Sequence, residues 1–154
     1  MTTRMNIFKA APEVYKTVLA FNQAAVKGIS DEKLVHLVLL RASQINRCAY
    51  CIDMHTKDAL NIGEDPVRIS LVPAFDEAEE HFTDKERAAL ALTEAVTVLT
   101  DGFVPDAVYE RAAAHFDEAE LGHLIGLIAA INVWNRLNVA ARTPGGHYKP
   151  QPRA

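Results

Sequence analysis

The chain has 154 residues, 49% of them apolar and 23% charged, with a net charge of −4, which is the balance of one soluble domain closing one hydrophobic core. That charge leaves no basic footprint, so nucleic acid is excluded as an expected partner. The opening Met1-Thr2-Thr3-Arg4-Met5-Asn6 lacks the apolar centre of a secretory leader, and the most apolar run, Leu124 to Val133, is short of a bilayer span and carries Asn132. The expected location is therefore the cytoplasm, with no membrane partner. A purely structural disulfide is disfavoured in that compartment.

Glycine and proline punctuate the chain into helices. Neither occurs from Ile29 through Ile62, from Ala74 through Asp101, or from Asp106 through Leu121. No segment alternates as a strand does, so the expected fold is an all-α single domain over residues 1–143. A first helix is predicted from about Pro12 to Lys27, with proline in the tolerated first turn and Gly28 as its stop. Ser30 can cap a second helix, roughly Asp31 to Ile45, on which Leu34, Leu37, Val38 and Arg41 mark one face. Asn46-Arg47 breaks it, and a third runs from about Cys48 to Ile62, closed by Gly63. Asp65-Pro66 starts a short fourth helix ending near Pro73.

The box Thr83-Asp84-Lys85-Glu86 opens a helix to about Leu99. Gly102 and Pro105 separate it from another that continues through His115. Asp117-Glu118-Ala119-Glu120 opens the longest, about Glu118 to Arg142. Residues 144–154, beginning Pro144-Gly145-Gly146-His147, read as a flexible tail. The last helix is apolar around most of its circumference, through Leu121, Leu124, Ile125, Leu127, Ile128, Ile131, Trp134 and Leu137. Such a helix is either central or covered by another subunit. Gly122 and Gly126 allow close helix approach, and a homo-oligomer built through helices is expected.

Cys48 and Cys51 are the two cysteines of the chain, three apart at a predicted helix start. Free backbone N–H groups and the helix dipole stabilise a thiolate there, and the spacing lets the sulfurs join without unwinding the helix. His55 follows four residues after Cys51, so all three side chains share one stripe. A nucleophile, a second thiol to resolve it and a proton carrier thus lie on one surface. Inert core cysteines are the bland alternative. Zinc is the sharper one, with Cys48, Cys51 and His55 as three ligands and His36 as the nearby fourth. No second cysteine pair exists to complete the usual zinc spacing, and neither a metal nor a cofactor is expected.

The stretch from His36 through Arg41, Ser43, Gln44, Asn46, Arg47, Cys48, Tyr50, Cys51 and Asp53 to His55 resembles the alkylhydroperoxidase D-like (AhpD-like) branch of the carboxymuconolactone decarboxylase superfamily. The likeness continues through Thr56-Lys-Asp58-Ala, Glu86-Arg-Ala-Ala-Leu-Ala and Ala130-Ile-Asn132-Val-Trp134-Asn135-Arg136. It implies an all-α bundle assembling as trimer or hexamer, and a cofactor-free thiol peroxidase or dithiol–disulfide oxidoreductase of antioxidant defence. The substrate would be a hydroperoxide, and the reductant a dithiol, protein or lipoyl-like.

By that resemblance Cys51 attacks peroxide, Cys48 resolves and His55 relays the proton, although helix-terminus position alone favours Cys48 as the more acidic thiol. The family's relay glutamate is replaced by His36, so the expected relay runs from His36 through a bridging water and His55 to Cys51. The nearest acidic substitute, Glu32, reads as a solvated first-turn carboxylate. Tyr50 stands where a histidine is frequent in the family. Arg47 stands where a glycine is common, its charge expected to lower the Cys48 pKa. Trp134, Asn132 and Asn135 read as core and interface, and His81, His115 and His123 as surface or helix-end residues. A zinc-stabilised module or a non-catalytic redox sensor remain the alternatives of other classes.

Overall fold

The computed structural model describes residues 2–152, and every regular element among them is helical. In chain order these are α1 (Ile7–Ala10), α2 (Pro12–Lys27), α3 (Glu32–Ile45), α4 (Ala49–Asn61), α5 (Pro66–Leu71), α6 (Asp84–Thr97), α7 (Asp106–Ala113) and α8 (Glu118–Ala141), with 3₁₀ turns at Val72–Ala74 and Glu79–His81. The four-residue α1, capped by Asn6, is too short to carry a periodic signal and was not anticipated. Elsewhere helix ends move by a residue or two, as fraying ends do.

Side-chain caps set the helix starts. Asp31, not Ser30, caps α3, its carboxylate accepting the Leu34 N–H at 3.1 Å; a charged acceptor suits the positive end of a helix better than a hydroxyl. Cys48 is the cap of α4 rather than its first residue, its Sγ accepting the Cys51 N–H at 3.3 Å. The Thr83–Glu86 box is formed in both directions, at 2.8 and 3.2 Å. Asp117 caps α8 through the Glu120 N–H at 2.8 Å.

Helix α3 buries two faces, not one. Leu34, Val35, Val38, Leu39 and Ala42 join α6 and α8 in one apolar cluster, while Leu37 and Leu40 join Ala59, Ile69, Val72, Phe75 and Leu90 in another. Arg41 lies outside both and pairs with Glu94 at 2.6 Å. Helix α8 is central, with Leu124, Leu127, Ile128 and Ile131 fully buried. At 24 residues it is long and apolar enough to cross a bilayer by length and composition, unlike the shorter run read from the sequence. Its apolar side chains instead face α2, α3 and α6. Ile125, Val133 and Val139 remain exposed on it.

A second buried feature is ionic. Arg68 on α5 donates Nε to Glu64 at 3.0 Å and its terminal nitrogens to Glu86 and the His81 carbonyl, with its guanidinium 4.9 Å from the Phe82 ring centroid. Residues 146–151, read from the sequence as part of a tail, run along α4. Asp53 accepts the N–H groups of Gly146 (2.9 Å) and Tyr148 (3.2 Å), and Lys57 and Asn61 donate to the carbonyls of Tyr148 (3.0 Å) and Gln151 (3.1 Å). The approach is close: a Cβ on Gly145 would lie 2.6 Å from the Ala49 carbonyl oxygen.

Candidate active site

The turn that presents Cys48 is fixed by an amide network between α3 and α8. Asn46 donates to the side-chain oxygens of Asn132 and Asn135, both at 2.9 Å, and Asn135 donates to Ser43 Oγ at 3.0 Å. Ser43 in turn bonds back to the Leu39 carbonyl at 2.7 Å, and its own carbonyl accepts the Cys48 N–H at 3.0 Å. Asn135 is fully buried, so a mispaired amide there is costly. Asn132 and Asn135, read from sequence as core and interface, thus reach the site indirectly by holding its turn. Arg47 in that turn has φ 54°, a left-handed conformation suited to glycine, and its side chain is exposed.

From this turn Cys48 and Cys51 form a disulfide across the first turn of α4, with Cα atoms 5.3 Å apart. Both are buried, at 1% and 0% exposure. They differ in what they face: Cys51, but not Cys48, lines a cavity of about 200 Å³ shared with His55. The opposite wall is aromatic. Phe8 on α1, Tyr15 on α2 and Trp134 on α8 meet edge to face, with centroids 5.1 to 6.3 Å apart. Trp134, expected to be core and interface, is therefore a wall of the site. Asn138, which the sequence reading missed, completes it: its Nδ2 donates to the Trp134 carbonyl at 3.0 Å and lies 3.8 Å from Cys51 Sγ. Only its register on α8, one turn after Trp134, could have flagged it.

His55 is buried at 7% exposure, and neither ring nitrogen has a hydrogen-bond partner among the described residues. Burial, with the nearby His36 adding to it, lowers its pKa to about 3. The imidazole is thus neutral at physiological pH while Cys48 and Cys51 are joined, because desolvation disfavours its charged form. The His36 ring lies on the facing helix, 6.3 Å away between centroids. The sequence therefore identified a pair of neighbours, but it missed the third member. Asp58, one turn beyond His55, brings a carboxylate oxygen to the same place: one ligand-type atom from each of His36, His55 and Asp58 lies within 4.8 Å of the others. Tyr148 Oη donates to Asp58 at 2.8 Å, and burial together with that bond raises the tyrosine pKa to about 12. The His55-x-x-Asp58 spacing was the available signal.

The zinc site read from the sequence used Cys48 and Cys51 as ligands. With these sulfurs bonded to each other, the group of metal-ligating type among the described residues is instead His36, His55 and Asp58. Glu32 sits exposed in the first turn of α3. His81 faces Glu80 at 3.6 Å and His123 lies against Gly28, outside the cluster.

A model of the carboxymuconolactone decarboxylase family matches residues 12–95. The uncharacterized protein YdfG of Bacillus subtilis is 36% identical over 140 residues, covering 91% of this chain and 95% of that protein. YnjA of Escherichia coli, also uncharacterized, is 33% identical over 114 residues, which span 74% of this chain and 62% of that protein. An Agrobacterium tumefaciens crystal structure superposes with a TM-score of 0.90 at 36% identity, covering 96% of this chain and all of that one. It is described as a protein of unknown function, provisionally an AhpD antioxidant defence protein.

Proposed function

The chain belongs to the carboxymuconolactone decarboxylase family as an AhpD-like member, and on that premise we propose that it is a thiol-dependent hydroperoxidase of antioxidant defence, acting in the cytoplasm. One observation carries this reading: of the two bonded cysteines, Cys51 shares a cavity with an unpartnered, buried His55. A purely structural disulfide needs neither the cavity nor the histidine.

In the reduced protein, His55 takes the Cys51 proton. The thiolate formed beside it favours the imidazolium, offsetting the burial that holds the histidine neutral in the disulfide state. The thiolate attacks the distal oxygen of the hydroperoxide, the S–O bond forms and the O–O bond breaks. The alkoxide leaves with the proton from His55 as an alcohol. Cys48 then attacks the sulfenic sulfur, the S–S bond forms and water departs. A dithiol donor, protein or lipoyl-like, restores both thiols by exchange and is itself oxidised to a disulfide.

His36 and Asp58 complete the relay, and Asp58 supplies the negative charge that the glutamate at the His36 position gives in relatives of this type. The aromatic wall favours organic hydroperoxides over hydrogen peroxide, since an apolar group buried there leaves water. The burial of both sulfurs favours a slender dithiol arm as reductant. Exposed Ile125, Val133 and Val139 on α8 support self-association as trimer or hexamer.

Thiol counting tests the reading. Reduced protein should present two thiols and lose both to stoichiometric cumene hydroperoxide, and Cys51→Ser should have no peroxide turnover with dihydrolipoamide as donor. Full turnover in Cys51→Ser sinks the assignment.

A further inference from the structure

We propose that His36, His55 and Asp58 form a divalent transition-metal site, one that takes zinc in preference to magnesium or calcium and works without either cysteine. Three observations converge on it. One ligand-type atom from each residue lies within 4.8 Å of the other two, so small side-chain movements bring all three onto one ion. Zinc bound to ring nitrogens at about 2.0–2.1 Å holds two imidazole centroids roughly 5–6 Å apart, and His36 and His55 stand at 6.3 Å. The two nitrogens of His55 are buried without a partner among the described residues, so the unprotonated one has a lone pair to donate to a metal ion.

The framework is also of the kind that holds metals in helical proteins. A carboxylate and a histidine three residues apart on one helix converge with a ligand from the facing helix, as in the carboxylate–histidine sites of helix bundles. Here α4 gives His55-x-x-Asp58 and α3 gives His36. Tyr148 Oη, donating to Asp58 at 2.8 Å, is the outer hydrogen bond that orients a ligating carboxylate. His36 and Asp58 are only partly buried, which gives an ion a way in. Two imidazoles and one carboxylate leave one tetrahedral position for water, and that nitrogen-rich set suits zinc over magnesium or calcium.

The site differs from a cysteine-based zinc module in a testable way. Its ligands are all present when Cys48 and Cys51 are joined. Where His55 serves Cys51 as proposed above, zinc competes with thiol chemistry for the same imidazole, but binding itself does not depend on that reading.

Zinc is titrated into the full-length, disulfide-bonded protein in competition with a chromophoric chelator, and into the Cys48→Ser/Cys51→Ser double variant. The expected result is one ion per chain in both, with affinity reduced at least tenfold in Asp58→Asn and in His36→Leu. Cobalt supplies a readout on the unaltered protein: ligand-field bands of a four-coordinate nitrogen–oxygen site, without a thiolate charge-transfer band. Absence of stoichiometric binding to the disulfide form, or a thiolate band whose loss accompanies oxidation, overturns the proposal. Peroxide turnover that is lost in Cys51→Ser while zinc still binds leaves both readings standing, and turnover retained with zinc bound overturns only the competition.

Discussion

Arg68 between Glu64 and Glu86, and His55 beside His36 and Asp58, are both buried polar clusters, but they differ in how far they are satisfied. The Glu64 and Glu86 side chains are 1% and 8% exposed, and both meet the guanidinium. Glu64 also accepts the Asp65 N–H at 2.8 Å, and Glu86 is held by Thr83. Burial works to raise the Glu86 pKa, yet the bonds from Arg68 and Thr83 keep it below the usual carboxylate range. Around His55 the pairing is incomplete: both its nitrogens and the Asn138 Oδ1 are buried without partners among the described residues. A buried polar group costs free energy unless something bonds it, so the first cluster fixes the fold. The second retains groups that make sense when a substrate, a proton or an ion occupies the cavity.

Substitutions can break this contrast. In the cavity, His55→Gln should lower peroxide turnover by about 10²–10⁴, the usual contribution of a positioned acid–base group, while the denaturant midpoint at neutral pH changes little. Equal losses of turnover and stability would make His55 a structural residue like Arg68. In the ionic cluster the pattern reverses. Arg68→Met leaves the buried Glu86 without a counter-charge and Glu64 with Lys33 alone, at 4.0 Å, and should cost about 3–5 kcal/mol in urea unfolding, with turnover per folded molecule unchanged.

Acid separates the two clusters by pH window. The folded His55 pKa of about 3 lies below the ordinary value of 6.5, so below about pH 6.5 the unfolded chain binds a proton that the folded chain refuses. Stability therefore falls as pH drops through that range, by about 1.4 kcal/mol per unit for one proton. The lowered Glu86 pKa acts later, its stabilisation being lost as pH falls past the ordinary carboxylate range. Between pH 6.5 and about 5 the slope belongs mainly to the histidine, and His55→Gln should flatten it. The smallest expected effect is at the turn before Cys48. Arg47→Gly relieves a left-handed arginine and should stabilise by about 1 kcal/mol, with no change in turnover if the exposed arginine charge does not act on Cys48.

Much of this was readable in the sequence because it is local. The Cys48, Cys51, His55 stripe follows from helical period, and the Thr83–Glu86 box and the stops at Gly28 and Gly63 follow from backbone chemistry. What could not be read is where separate helices bring side chains together. Asn138 and Trp134 reach Cys51 from α8, some 80 residues away in sequence, and α1, which carries Phe8, is too short for a periodic signal. Asp58 was visible one turn after His55, but only the approach of α3 shows that it faces His36 as well. The second buried face of α3 was hidden for the same reason, since one apolar stripe and two look alike until both partners are placed.

In the proposed cycle Cys51, the cavity-facing sulfur, is the one peroxide meets first. Sulfenic-acid trapping with dimedone, read by mass spectrometry after stoichiometric cumene hydroperoxide, tests it in the two single variants. Serine caps helices well, so Cys48→Ser keeps α4 in place and should carry one adduct per chain at Cys51. Cys51→Ser should carry none. A stoichiometric adduct at Cys48 in Cys51→Ser, with little at Cys51 in Cys48→Ser, would contradict the account.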